Sequence, residues 1–459
     1  MVSKKILEEV LQCAMATGAD YAEIYMEHTN QHSISMCNDK VEKITDTLIS
    51  GAGIRAWKGT KSVNGATSVL SRESLISCAK QVAEAIGAQN GAPDIYLTEQ
   101  IFPNIHPVKI VPSTAEKSRK IEILKDAYFA AKGYHADISQ VEASVLDVDH
   151  KIWIATSEGL YTNDRRIRTR MRVEAVASKN GENQSGTFAP GSRQGLEFFE
   201  EKDPKEIGKK AAQQAMVLIN AGYCPAGTMP VAIENGYGGV IFHEACGHSL
   251  EAASVALGQS QFTGRLGQQI ANEKVTAIDD GTIPNGWGSI DIDDEGTPAQ
   301  RNVLIENGIL KTYMVDKLNG RRMGLETTGN SRRQGYQYPP TSRMTNTFLD
   351  NGPDKNEDII ASIDNGLYAK SMGGGSVNPV TGEFNFAVTE GYLVKNGKIT
   401  EPVRGASLIG KGSEILMNID MVGQNLDRAQ GMCGASSGSI PTDVGQPLVR
   451  VSSITVGGR

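Results

Sequence analysis

Long apolar runs are missing from this chain of 459 residues. A membrane-spanning helix needs roughly 18 or more consecutive apolar residues, and the sequence contains no such run. The N-terminal segment has Lys4 and Lys5 but reaches Glu8 and Glu9 without the apolar core of a signal peptide. We therefore predict a cytoplasmic protein that has no membrane span and no signal peptide.

The chain also has no excess of positive charge, few prolines and no regular spacing of cysteines. The formal net charge of −7 disfavours binding to nucleic acids and to acidic membrane surfaces. Only 17 prolines against 50 glycines, with 39% hydrophobic and 22% charged residues, indicate a folded chain rich in turns rather than a disordered one. The six cysteines lack the spacing of a disulfide framework, so we expect reduced thiols, each available as a metal ligand.

The pattern of apolar residues predicts an α+β fold in two parts, divided at residues 222–227. We expect residues 1–222 to form a mixed α/β domain with a surface connector over 87–114. Its predicted helices cover 4–17, 72–86, 114–132 and 203–219. Its predicted strands cover 21–28, 32–37, 41–49, 51–57, 138–149, 151–157 and 160–177.

The second part, residues 223–459, is predicted to be a largely antiparallel β domain around one helix at 240–256. Two Asn-Gly pairs, at 307–308 and 396–397, predict hairpin turns. Residues 291–296 imitate the start of a calcium loop, but its twelfth position is Asn302 rather than a glutamate. We therefore predict a turn there and no calcium site.

The predicted helix at 240–256 carries two of the seven histidines, and Glu244 directly follows the first. His243 and His248 are five residues apart, about 140° on a regular helix, so a regular helix could not offer both to one ion. A local i→i+5 turn would bring them together, and the conformational freedom of Gly247 would permit it. We predict a π-bulge between Glu244 and His248. Two imidazoles beside a carboxylate are the components of a zinc hydrolase.

Two histidines leave a zinc ion short of a protein ligand. Glu251 lies three residues after His248, and Cys246 lies between the two histidines. Cys433 lies in a glycine-flanked stretch that predicts a turn able to direct a thiolate inward. The spacing leaves all three open as the third ligand.

Four arginines alternate along the predicted strand at 160–177 and therefore share one face: Arg166, Arg168, Arg170 and Arg172. This face could bind a phosphate or a peptide carboxylate. The interpretation that we favour is a solvated sheet face with glutamates on the neighbouring strand.

Several motifs together resemble the TldD branch of the TldD/PmbA metalloproteases, once described as modulators of DNA gyrase. They are the stretches at 243–248, 293–298, 344–347, 433–434, 445–447 and 456–458. The resemblance covers nearly the whole chain, and the PmbA branch lacks the metal motif. It implies a zinc protease whose ligands are His243, His248 and Cys433 and whose catalytic glutamate is Glu244. It also implies a homodimer, or a heterodimer with a PmbA-type paralogue, enclosing a cavity that admits only unfolded peptides.

The expected reaction is metal-assisted hydrolysis of an extended peptide, with Glu244 as general base. A non-catalytic partner or scaffold subunit, with a structural metal or none, is the competing interpretation. A third, a nucleic-acid modulator, would depend on the arginine strand.

Overall fold

The computed structural model describes residues 2–87, 91, 93–378 and 380–458. Four positions of the predicted connector, 88–90 and 92, lie outside the described residues. The predicted α+β class is confirmed, because helices cover one face of a large N-terminal sheet and antiparallel sheets dominate the remainder. No helix among the described residues has the length and apolar character that a membrane crossing requires.

An eight-stranded sheet in the order β3-β2-β1-β5-β6-β4 organises the N-terminal region, with β7 and β8 also paired to β6. Its strands are β1 Tyr21–Cys37, β2 Lys40–Lys58, β3 Lys61–Thr67, β4 Thr98–Glu99, β5 Ile138–Thr156, β6 Leu160–Lys179, β7 Glu182–Phe188 and β8 Gly191–Ser192. The helices are α1 Lys4–Met15, α2 Arg72–Ile86, α3 Lys117–Lys132, α4 Phe198–Glu201 and α5 Pro204–Ile219.

The helix boundaries follow from ordinary capping chemistry. The Ser3 and Ser71 hydroxyls accept hydrogen bonds from backbone N–H groups in the first turns of α1 and α2. Asp203 does the same for α5, whose first residue is Pro204, as predicted. The buried faces of these helices pack on the sheet and leave its opposite face to the C-terminal region.

Three of the predicted strand breaks are wrong. Residues 21–28 and 32–37 form the single strand β1, 41–49 and 51–57 form the single strand β2, and 138–149 and 151–157 form the single strand β5. Strand β1 pairs with β2 on one side and with β5 on the other, so backbone hydrogen bonds continue through residues 29–31.

The C-terminal region contains two larger sheets. One has the order β17-β10-β24-β20-β18-β19-β9, and pairing of β17 with β18 closes five of its strands into a ring. The other has the order β13-β12-β11-β16-β23-β22. The strands are β9 Gly222–Tyr223, β10 Gly227–Ile233, β11 Ala277–Asp280, β12 Arg301–Glu306, β13 Ile309–Leu310, β14 Ser331–Arg332, β15 Thr341–Ser342, β16 Asn346–Leu349, β17 Asn365–Val377, β18 Glu383–Lys395, β19 Lys398–Arg404, β20 Ala406–Lys411, β21 Ile419–Val422, β22 Asp427–Ala435, β23 Gly438–Gln446 and β24 Val449–Gly457.

The helical segments of this region are short. They are α6 Val240–Phe242, α7 Ala252–Val255, α8 Lys317–Met323, α9 Asn356–Ala361 and α10 Gly412–Asn418. Both predicted Asn-Gly hairpins are present, with Asn307 and Asn396 in the left-handed conformation. Residues 293–296 form the predicted turn, in which Asp293 accepts hydrogen bonds from nearby backbone N–H groups. The division into domains 1–222 and 223–459 stays a proposal.

The predicted continuous helix at 240–256 is wrong. After α6 the chain forms a π-helical turn at His243–Gly247 and a 3-10 turn at His248–Leu250. Glu251 is extended, and its neighbours Leu250 and Ala252 exchange backbone hydrogen bonds with Met314. This pairing with a distant segment ends the helix, and hydrophobic periodicity cannot reveal it.

Candidate metal centre

The π-bulge predicted from the histidine spacing is confirmed. The backbone N–H of His248 donates to the carbonyl of His243, which is the i→i+5 bond of a π-helix. The wider turn brings the two imidazole rings to a centroid separation of 5.1 Å. The two histidines therefore lie on the same side of the turn, which a regular helix would not allow.

Gly247 has a different role from the one predicted. Its φ of −56° and ψ of −50° are ordinary helical values, so the turn does not need its conformational freedom. The constraint is space, because a Cβ atom at this position would lie 2.4 Å from the Sδ atom of Met344. Met344 is completely buried, so a side chain at 247 would have to displace packed atoms.

Cys433 completes a three-residue cluster. Its Sγ atom lies 3.3 Å from Nε2 of His243 and 3.4 Å from Nε2 of His248. The three donor atoms lie within 4.8 Å of one another. Cys433 belongs to the edge strand β22, so the predicted turn around it is wrong, and the turn follows at residues 436–437. The thiol of Cys433 nevertheless points inward, towards the two histidines, from its position on the strand.

The environment favours the thiolate form of Cys433. Burial opposes ionisation, but the adjacent His243 and His248 outweigh it and lower the pKa of Cys433 to about 3. Burial also opposes protonation of His248, yet Glu251 and Cys433 raise the pKa of His248 well above its usual range. These shifts favour a thiolate at Cys433 beside a protonated His248 ring, and binding of a metal ion would displace that proton.

Glu251 takes a place outside the cluster. Its Oε2 atom lies 3.0 Å from Nδ1 of His248, the ring nitrogen that faces away from Cys433. A carboxylate in this position fixes the orientation of a ligating imidazole, which is the usual supporting contact around protein metal sites. Glu251 is therefore placed to support His248 rather than to bind the ion itself.

Cys246 also lies outside the cluster. Its Sγ atom contacts the carbonyl oxygen of Gly412 at 3.6 Å and is buried. Burial raises the pKa of Cys246 well above its usual range, which keeps the thiol neutral. Of the three candidates from the sequence, Cys433 alone joins the two histidines among the described residues.

Arg343 is a supporting residue that the sequence did not reveal. It is fully buried and donates to the backbone carbonyl of Cys433 at 2.5 Å and to the hydroxyl of Ser437 at 2.8 Å. Its Nε atom also lies 3.9 Å from Glu251. Arg343 thus links the strand that carries Cys433 to the carboxylate that orients His248. The resemblance included residues 344–347 but gave no sign of this contact.

The donor set fits a zinc ion. Zinc–nitrogen bonds of about 2.1 Å and zinc–sulfur bonds of about 2.3 Å, arranged tetrahedrally, place sulfur about 3.6 Å from nitrogen. The sulfur–nitrogen distances of 3.3 Å and 3.4 Å in the cluster are close to this value. Three protein donors would leave one position for water or substrate, the arrangement of catalytic zinc sites.

Glu244 lies at the rim of the cluster. Its Oε2 atom is 3.6 Å from Nε2 of His248, and its side chain is 31% exposed. His243 and Cys433 are only 3% and 4% exposed, so Glu244 is the acidic group of the motif that reaches solvent. A carboxylate in this position can exchange protons with a water molecule at the cluster.

The arginine face of β6 is not the solvated surface that we favoured. Arg166 and Arg168 are buried, and the β5 residues opposite the four arginines are Ser144, Leu146, Val148 and His150 rather than glutamates. The C-terminal region covers this face, with ion pairs and backbone carbonyls as the partners of the guanidinium groups. Arg166, Arg168 and Arg170 line a cavity of about 510 Å³.

The fold and the cluster define an α+β protein with a candidate metal centre, and comparison with known proteins identifies its family. The sequence matches PmbA/TldA metallopeptidase domain 1 over residues 22–86, the central domain over 111–219 and the C-terminal domain over 226–458. The chain therefore belongs to the PmbA/TldA metallopeptidase family, as the sequence motifs indicated.

Relatives of the chain have metalloprotease names. The metalloprotease TldD homolog of Haemophilus influenzae is 36% identical over 469 aligned residues, which cover 100% of this chain and 97% of the relative. A zinc metalloprotease TldD homolog of Saccharolobus solfataricus is 32% identical over 260 residues, 56% of this chain and 58% of the relative. Both relatives support a metalloprotease.

Two solved structures share the fold. A Thermotoga maritima protein described as a candidate modulator of a DNA gyrase superposes with a TM-score of 0.81 at 23% identity, covering 99% of this chain and 100% of its own. TldE from Thermococcus kodakarensis gives a TM-score of 0.76 at 19% identity, again covering 99% and 100%. At these identities the likeness concerns the fold alone.

Proposed function

We propose that this chain is a zinc-dependent peptidase that cleaves unfolded peptides. In this proposal His243, His248 and Cys433 hold the metal ion, and Glu244 is the general base. The convergence of three donor atoms beside a partly exposed carboxylate carries the proposal. Membership of a metallopeptidase family and a relative named as a zinc metalloprotease support it.

A zinc ion held by these residues would lower the pKa of a water molecule and polarise the scissile carbonyl group. Glu244 accepts a proton from the attacking water and delivers it to the leaving amine. Glu251 holds the His248 ring so that Nε2 stays directed into the cluster. Bulk water has little access to the buried Cys433 sulfur, whereas the Glu244 carboxylate is partly exposed.

The substrate that we propose is an extended, unfolded peptide. The hairpin of β22 and β23 carries Cys433, and its residues Met432, Ile440 and Pro441 also line the cavity of about 510 Å³. A peptide in the cavity would therefore lie next to the hairpin that carries a proposed ligand. An extended chain presents its backbone for recognition, so we expect broad tolerance of side chains near the cut.

The test of this function separates metal binding from chemistry. The Glu244→Gln variant should keep its zinc, because no proposed ligand is changed. It should lose about 100-fold or more in the cleavage of an unfolded peptide, the scale of general-base catalysis. Metal analysis and a peptide-cleavage assay, with and without a chelator, make the measurement. Full activity in the zinc-loaded variant would remove Glu244 from its role, and a zinc-loaded wild type without activity would favour the scaffold interpretation.

We further propose that the chain works as a dimer, either with itself or with a paralogue of the PmbA type. The outer part of β2 exposes three large apolar side chains: Ile44, Leu48 and Ile49. Leu48 is 61% exposed, and an exposed apolar patch of this kind is typical of a subunit contact. Ile49 also lines the cavity of about 510 Å³, so a second subunit bound here would narrow the opening of that cavity. Light scattering of the purified protein tests the proposal, and a monomer at working concentration would contradict the homodimer.

A nucleic-acid modulator has little support from the structure. That interpretation depended on the arginines of β6, but Arg166 and Arg168 are buried under the C-terminal region. A duplex could not reach these side chains, and the net charge of −7 opposes its approach.

A further inference from the structure

The cavity of about 510 Å³ is lined by more positively charged side chains than negatively charged ones. We call it the arginine pocket; five arginines line it, namely Arg166, Arg168, Arg170, Arg332 and Arg333. The carboxylates that line it are Glu27 and Asp294. Five positive charges against two negative ones leave an excess of three in a chain that is negative overall.

Two of the five arginines are paired with carboxylates. Arg166 contacts Asp164 and Asp294, both at 2.8 Å. Arg333 contacts Glu23 at 2.5 Å. The pairs Arg166–Asp294 and Arg333–Glu23 join the N-terminal sheet to the C-terminal region. The charges of Arg166 and Arg333 are therefore already neutralised by carboxylates of the chain itself.

The other three arginines have no carboxylate within ion-pair distance among the described residues: Arg168, Arg170 and Arg332. The Arg168 side chain donates to the carbonyls of Trp287 and Ser289, at 2.8 Å and 3.0 Å. The Arg332 side chain donates to the carbonyl of Met344, at 2.6 Å. Arg168 and Arg332 are 5% and 3% exposed, and a buried guanidinium without a counter-ion is costly. Burial, then repulsion between arginines, lowers the pKa of Arg168.

Strand β22 connects the arginine pocket to the candidate metal centre. Arg170 donates to the carbonyl of Gln430 at 3.4 Å, three residues before Cys433 on β22. Three residues of an extended strand span roughly 10 Å. An extended peptide at the cluster could therefore reach Arg170 about three residues from the scissile bond.

We propose that the arginine pocket binds a carboxylate group of the substrate peptide, at its C-terminus or on an acidic side chain, a few residues from the cut. This inference rests on the proposed peptidase function. Arginine suits the role because its planar guanidinium can hold a carboxylate through two parallel hydrogen bonds. The substrate would supply the counter-ion that the folded chain lacks.

Binding, measured without cleavage, tests the pocket separately from the peptidase. Three acetylated ten-residue peptides of alanine, serine and glutamine serve as probes. One ends in a free carboxylate, one in an amide, and one has an amide end and a single internal aspartate. Calorimetry on full-length Glu244→Gln protein should show one or both carboxylate-bearing peptides binding about tenfold more tightly than the neutral peptide. The two charged probes distinguish a C-terminal carboxylate from a side-chain one, and equal affinity of all three peptides would overturn the proposal.

Variants locate the bound carboxylate. Arg170→Gln and Arg332→Gln should each reduce the preference towards equal affinity. Arg172→Gln is the matched control, because Arg172 lies on the same strand but is 45% exposed, pairs with Glu174 and does not line the pocket. It should keep the full preference. If thermal unfolding shows that Arg332→Gln is not folded, the Arg170→Gln variant alone tests the proposal, because Arg170 is only partly buried.

The metal provides the last distinction. A carboxylate in the arginine pocket should still be preferred after the protein has been stripped of metal by a chelator. A preference that survives in Arg170→Gln, or disappears with the metal, would place the carboxylate at the cluster and overturn the inference. A zinc-loaded wild-type protein that keeps the preference but cleaves no peptide would instead count against the proposed function alone.

Discussion

At the scale of single residues, the candidate centre depends on contacts between side chains far apart in the sequence. His243 and His248 come from one turn, whereas Cys433 comes from an edge strand. Glu251 and Arg343 connect the two parts, one by contacting His248 and the other by holding the carbonyl of Cys433. Mutation of a supporting residue should therefore weaken the site without removing a ligand.

Glu251→Gln is the corresponding prediction. It preserves shape but removes the charge beside Nδ1 of His248, so we expect metal affinity to fall about 10- to 100-fold. Competition with a chelator of known affinity measures the change. Glu306→Gln, on the exposed end of β12, provides the control and should leave metal affinity unaltered. Unchanged affinity in Glu251→Gln would show that His248 does not need this support.

At the scale of secondary-structure elements, the π-helical turn is the feature that makes the cluster possible. It packs against Met344, and Gly247 leaves the necessary space. The conformation of the turn therefore depends on the close contact between Gly247 and Met344.

Gly247→Ala should destabilise the protein by about 1–3 kcal/mol, because the new methyl group meets the buried Met344 side chain. We also expect weaker metal binding, since the turn positions both histidines. Urea unfolding and metal analysis provide the two measurements. Gly434→Ala is the control, because a Cβ atom there meets nothing within 4 Å. A fully stable Gly247→Ala protein with normal metal content would mean that Met344 yields easily.

These elements also show how far the sequence could predict the site. The π-turn was predictable because only that geometry unites histidines five residues apart. The end of the helix was not predictable, because Leu250 and Ala252 bond to Met314, a contact between distant segments. The covered arginine face was mispredicted for the same reason, since alternation along a strand shows which residues share a face but not what packs against it.

At the scale of the whole molecule, buried ion pairs join the N-terminal sheet to the C-terminal region. Asp294 contacts Arg166 of β6 and the backbone N–H of Arg333, while the Arg333 side chain contacts Glu23 of β1. These groups are buried, so loss of one carboxylate leaves the buried positive charges only partly compensated. The two regions should depend on each other for stability.

Asp294→Asn should therefore cost about 3–5 kcal/mol, the usual effect of breaking a buried pair. Denaturant unfolding measures the loss. Asp420→Asn breaks the more accessible pair with Arg450, in which the side chains are 30% and 21% exposed, and should cost about 1 kcal/mol or less. Equal costs for the two variants would contradict the role given to the buried network.

The proposed function requires that His243, His248 and Cys433 together hold one metal ion. X-ray absorption spectroscopy of the zinc-loaded protein can show this, because nitrogen and sulfur ligands lie at different distances from zinc. We predict one sulfur at about 2.3 Å and two imidazole nitrogens at about 2.0–2.1 Å, with the sulfur lost in Cys433→Ala. A zinc spectrum without sulfur in the wild-type protein, or one unchanged in Cys433→Ala, would contradict the claim.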